Sequence, residues 1–197
     1  MTFDQETQTD NLTSAQDIAP VEAEIQPATW GQRAIMLTVA ALVVLLDQWS
    51  KRVVEATIPY GSSWEPLEWL APFFQFTHTG NTGATFGLFA GGGIIFTTIA
   101  AIVVVALLIY NLTLPAGQIW LRVALGLIMG GAIGNNLIDR LRLGHVTDFI
   151  HFSFWPIFNI ADMAIVGGAI LMGWLMWQEE RAQKTVNSER GTVNGEQ

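Results

Sequence analysis

Between Glu68 and Arg122 the chain runs for 53 consecutive residues without Asp, Glu, Lys or Arg. A chain folded in water cannot readily cover its surface with such a stretch, whereas a lipid-facing chain can. Charge is scarce elsewhere as well. Charged residues make up 13 % of the 197 and hydrophobic residues 51 %, against roughly a quarter charged in ordinary soluble domains. The net charge of −8 arises largely at the ends, because ten of the 17 acidic residues lie in 1–29 and 179–197. The pattern is that of a membrane protein with polar tails.

Several function classes fall away. With no cysteine, the chain has no disulfide framework, thiolate metal site, cysteine nucleophile or cysteine-linked lipid. It offers nucleic acid no basic patch, so no nucleic-acid partner is expected. Residues 1–29 lack the basic start of a cleavable signal peptide. Walker, dinucleotide-binding, HExxH and serine-nucleophile motifs are missing. His78, His145 and His151 do not stand at metal-ligand spacing with the acids, so neither a metal nor an organic cofactor is expected.

The hydropathy predicts an all-α polytopic membrane protein with four spans of roughly 20 residues each. They run from about Arg33 to Lys51, Phe86 to Tyr110, Ile119 to Asp139 and Trp155 to Trp177. The expected layout is a disordered acidic tail over 1–29, a membrane domain over 30–178 and a polar tail over 179–197. Between the first two spans, Pro59 to Gly80 is too long for a simple turn. Its end, FFQFTH, is rich in strand formers, which predicts a small β-containing platform at the membrane surface. The eight Trp fall near span ends or in this connection, as an aromatic belt would. An even number of spans puts both termini on one side. Arg33, Arg122, Arg181 and Lys184 balance Lys51, Arg52, Arg140 and Arg142, so basic residues do not orient the protein.

Polar residues inside such spans cost about 2.5–3.5 kcal/mol when charged at the centre, which makes them functional candidates. Asp47 precedes Lys51 by one helical turn in DQWSK. That spacing suits an anchoring ion pair as well as a functional one. In GGAIGNNLIDR (130–140), the glycines permit close helix approach. There Asn136 stands three residues before Asp139 and four before Arg140, close enough on a helix for their side chains to meet. A packing staple would look the same.

Asp148 falls in an extended or loop segment after the third span. Asn159 and Asp162 begin the fourth, behind Pro156. Thirteen residues separate Asp148 from Asp162, enough for the chain to bring the two acids together. Neighbouring carboxylates share one proton and so supply a general base and a general acid. A helix-capping aspartate and an unrelated loop aspartate are the plainer explanation. Asn81, in NTGATFG (81–87), offers an uncharged donor and acceptor at the entry to the second span. From the residues alone, three classes stay open: a peptidase, a small proton-coupled transporter and a structural membrane scaffold.

Five blocks, taken in order, resemble the bacterial lipoprotein signal peptidase family (signal peptidase II). They are DQWSK at 47–51, NTGATFG at 81–87, NNLIDR at 135–140, GHVTDF at 144–149 and FNIAD at 158–162. With the four spans they cover roughly residues 33–178. The resemblance implies an aspartyl endopeptidase of the bacterial inner membrane. Such an enzyme removes the signal peptide of diacylglyceryl-modified prolipoproteins on the N-terminal side of the lipidated cysteine. It also implies cytoplasmic termini, a site on the extracytoplasmic side, contact with membrane lipids and a monomer. By resemblance Asp148 and Asp162 are the catalytic pair. Asn81, Asn136, Arg140 and Asn159 surround the substrate, and Asp47, Lys51 and Asp139 support the site. Two positions depart from the family pattern. Asn135 stands where Gly often precedes the asparagine three residues ahead of DR, and His151 stands where many relatives carry Asp.

Overall fold

The structure, a computed structural model, describes residues 26–83 and 93–195, with side chains through Asn187. Ala84 to Gly87 of the NTGATFG block, the expected start of the second span at Phe86 and most of the acidic tail lie outside the described residues. Four helices are long and apolar enough to cross a membrane: Trp30–Thr57, Gly93–Thr113, Ile119–Leu143 and Ile160–Asn187.

Helix α1, Trp30–Thr57, opens on a capping box in which Thr29 and Gln32 exchange side-chain and backbone hydrogen bonds. It continues nearly two turns beyond Lys51. The helix stops at Ile58, held extended by the following Pro59. Strands β1 (Ser63–Trp64) and β2 (Phe74–Asn81) follow, then α2, Gly93–Thr113. The third crossing is not one regular helix. Helix α3, Ile119–Ala132, passes into a π-helical segment, Ile133–Asp139, and then a last turn, α4, Arg140–Leu143. Gly144, at φ 76°, breaks this crossing in the left-handed conformation that suits glycine and turns the chain into β3, Val146–Phe152. Helix α5, Ile160–Gly195, runs on well past Trp177. A Glu180–Lys184 pair one turn apart supports this polar extension.

The platform is a three-stranded antiparallel sheet in the order β1-β2-β3. Its third strand comes from beyond the third span, so the expected platform between spans one and two is completed by a distant segment. Phe76 pairs with Ile150 and Thr79 with Asp148, which leaves β2 one residue longer between these pairs. The bulge re-aims the strand next to Asp148. Edge-on, tilted and stacked contacts among the rings of Phe74, Phe76, Phe149 and Phe152 hold the sheet together. Phe149 also packs on Val54 and Ile58 at the end of α1.

Helix α3 is the centre of the bundle and packs on both α1 and α5. A Cβ at Gly130 would fall 2.8 Å from the Ala40 carbonyl oxygen on α1, and one at Gly131 would overlap that of Ala161 on α5. Glycine is what lets the three backbones close on one another. All eight Trp are exposed. Trp30, Trp120, Trp174 and Trp177 mark one end of the bundle, and Trp49, Trp64, Trp69 and Trp155 the end that carries the sheet.

Candidate active site

Asp148 and Asp162 meet at the sheet end of the bundle, and Asn159 joins them. After β3, the chain turns back so that Phe158 pairs with Ile150. That return sets Asn159 beside Asp148, and the Asn159 amide donates to Asp148 Oδ1 at 2.6 Å. Asn159 also caps α5. Its side-chain oxygen accepts from the Asp162 N–H at 3.0 Å, while Asp162 Oδ2 accepts from the Asn159 N–H at 3.1 Å. This reciprocal box fixes the first turn of α5 and with it the Asp162 carboxylate. The capping residue is therefore Asn159, and Asp162 sits three residues inside the helix.

Asp148 is buried on β3. Asn81 donates to its Oδ2 at 3.1 Å, and Asn81 in turn accepts from the Gly83 N–H. Burial, reinforced by the neighbouring Asp162 charge, pushes the Asp148 carboxyl up to about 7, against the opposing effects of the Asn81 and Asn159 hydrogen bonds and of Lys51. A groove of about 1000 Å³ runs over both acids, between Thr79–Gly83 on one side and Ile165 and Val166 of α5 on the other, with Phe154 and Trp155 at its rim.

Beneath the pair lies a buried ionic network. Lys51 Nζ lies 2.8 Å from both Asp47 Oδ2 and Asp139 Oδ2, and all three side chains are 0 % exposed. Hydropathy places Asp47–Lys51 at a span end; because α1 continues to Thr57, the pair is instead sealed inside the bundle. An ammonium there is tolerable only because two carboxylates and an amide surround it. The Asp47 carboxylate also accepts from the Ala161 N–H at 3.0 Å, and Asp139 accepts from Gln48 at 2.7 Å and from the Thr147 N–H at 3.3 Å. One cluster thus ties α1, the π-helical segment, β3 and α5 together.

The paired amides divide differently from expectation. Asn135, not Asn136, reaches the acids: its Nδ2 donates to Asp162 Oδ1 at 2.8 Å, and its Oδ1 accepts from Lys51 at 2.6 Å. Asn136 accepts instead from Arg140 Nε at 3.1 Å. Arg140 donates to the carbonyls of Thr82 and Gly83 and lies over the Phe96 ring. It touches neither aspartate and braces the loop that carries Asn81.

Gln48, Asn135 and Thr147 are the site residues that the motifs did not single out. Gln48 and Asn135 were in view, inside DQWSK and NNLIDR. Thr147 is fully buried and links Asp139 through its N–H, Asn159 through its carbonyl and Glu55 through its hydroxyl. Nothing about a lone Thr before an Asp signals such a junction.

Residues 39–178 match the family model described as Signal peptidase (SPase) II. The lipoprotein signal peptidase of Moorella thermoacetica is 41 % identical over 138 residues, covering 70 % of this chain and 89 % of the relative. That of Pelotomaculum thermopropionicum is 37 % identical over 155 residues, covering 79 % and 98 %. A solved structure described as a bacterial membrane enzyme, obtained by the in meso method at 2.3 Å, superposes with a TM-score of 0.69 at 29 % identity, covering 79 % of this chain and 93 % of that one. The chain belongs to the signal peptidase II family and is a membrane peptidase.

Proposed function

We propose that the protein is an aspartyl endopeptidase that cleaves diacylglyceryl-modified prolipoproteins on the N-terminal side of the lipidated cysteine, with Asp148 and Asp162 as its catalytic pair. The observation that carries this reading is the convergence of the two carboxylates on Asn159 at the floor of one groove. One proton shared between them serves both halves of peptide hydrolysis. Asp162, ionised, takes a proton from water as the water oxygen attacks the scissile carbonyl carbon. Asp148, protonated, hydrogen-bonds the carbonyl oxygen and then donates its proton to the leaving amine nitrogen. Burial of Asp148 on β3 raises its carboxyl, which keeps a proton available beside Asp162.

Asn81 and Asn159 hold Asp148; Asn81 lines the groove, where it can also bind substrate backbone without adding charge, while Asn159 is fully buried beneath it. Asn136 and Arg140 keep the Asn81 loop against the site. Asp47, Lys51 and Asp139 fix the helices that present the acids. The enzyme works as a monomer in the bacterial inner membrane, with cytoplasmic termini and the groove on the extracytoplasmic side. Lipid covers the exposed Ile94, Ile99 and Ile102 of α2, and the substrate's acyl chains lie in or beside it.

The test is a cleavage assay on the purified enzyme with a diacylglyceryl-modified prolipoprotein. Asp148→Asn and Asp162→Asn are each expected to abolish cleavage while eluting as monodisperse protein. Normal turnover by either variant would remove that residue from the pair.

A further inference from the structure

The geometry points to the π-helical segment as the device that makes Asn135, rather than Asn136, the positioning residue for Asp162. This inference rests on the aspartate-pair reading. The Arg140 N–H bonds the Asn135 carbonyl five residues back, where an α-helix would use the fourth. Such a turn holds one residue more than an α-helical turn, and here the surplus falls within the doubled asparagine.

The flanking contacts show what the extra residue does. On the N-terminal side, Gly134 lies so close to Asp47 that a Cβ there would stand 2.6 Å from Asp47 Oδ2. On the C-terminal side, Asp139 closes on Lys51 and Gln48. Both ends of the segment thus converge on one buried cluster. Asn135 completes it by accepting a hydrogen bond from Lys51 on its oxygen and turning its N–H to Asp162. Because the oxygen is held by an ammonium, the amide cannot flip without losing both bonds. It therefore presents a donor to Asp162 and orients that carboxylate toward the groove. Asn136 is rotated away, and its backbone carbonyl accepts from Thr97 of α2.

The experiment compares Asn135→Ala, Asn135→Gln, Asn136→Ala and a deletion of Asn136, each with kcat, KM and thermal melting in one detergent. Asn135→Ala should lower kcat about 10- to 150-fold, the size of a lost hydrogen bond to a charged group, with KM little changed. Asn135→Gln, whose amide is displaced by one methylene, should recover part of that kcat. Asn136→Ala should lose no more than about 5-fold. Deleting Asn136 relieves the surplus residue and leaves Gly134–Asn135 and Asp139–Arg140 in one α-helical register. It should behave like Asn136→Ala, although a deletion inside a helix ordinarily rotates everything beyond it by roughly 100°.

Greater damage from Asn136→Ala than from Asn135→Ala would overturn the inference. So would an Asn135→Ala enzyme that melts early yet keeps its kcat, since that is a purely structural role. The inference fails alone if either occurs while Asp162→Asn is inactive. If Asp162→Asn is active, the aspartate-pair reading fails first.

Discussion

Asp148 carries the clearest pH signature. Its carboxyl titrates near 7 in the folded protein against 3.8 ordinarily, chiefly because it is buried. Between these values the folded state holds a proton that the unfolded state has released. The contribution to stability is therefore complete below the lower value and is lost as pH rises through the upper one. The melting temperature of the solubilised enzyme should fall between about pH 4 and pH 7 more steeply than that of Asp148→Asn, which has no proton to lose. Parallel curves would contradict a buried, protonated Asp148. The same titration bears on turnover. If Asp148 is the acid, kcat should decline above about pH 7; a rate that climbs through this range would make it the base instead.

Among the elements, α3 sets the spacing of everything around it. Gly131 abuts the Ala161 carbonyl and the Ile165 side chain of α5, one residue from the Asp162 that the same helix presents. Gly131→Val should displace α5 and cost about 1–3 kcal/mol through overpacking, and it should lower kcat because Asp162 moves with its helix. A thermal melt and a cleavage assay on the same preparation check both; an unshifted melt would show that the seam has slack. The glycines were readable as a close-packing signal in GGAIG. Which neighbour each one meets was not, because that depends on the rotation of α3 between α1 and α5.

For the whole molecule, the two clusters of exposed Trp bracket the bundle. Trp30 and Trp49 are 19 residues apart on α1, roughly 29 Å at 1.5 Å per residue, which matches the hydrocarbon thickness of a bilayer. Basic residues are balanced between the two ends, so orientation needs its own measurement. The chain has no cysteine, and single introduced cysteines report their own side. With intact spheroplasts, Ser62→Cys beside the sheet should react with a membrane-impermeant maleimide. Thr185→Cys on the extension of α5 should react only after permeabilisation. The reverse pattern would place the groove in the cytoplasm.

Four crossings and a surface sheet between the first two follow from sequence because lipid is an unforgiving solvent: backbone must be satisfied within each span, and every charge left inside stands out. Asp47, Lys51, Asp139 and Asp162 were conspicuous for that reason. Their partners were decided only by tertiary contacts. Asn135 and Asn136 are chemically identical neighbours, and a local departure from α-helical spacing determines which reaches Asp162. Strand β3 had no distinct signal in GHVTDF, since its pairing with β2 joins segments about 70 residues apart. Lys51 stands at the expected end of the first span, yet α1 continues past it and Asp139 of the π-helical segment closes on it. Hydropathy is a property of each segment. Helix phase and long-range pairing belong to the assembled chain.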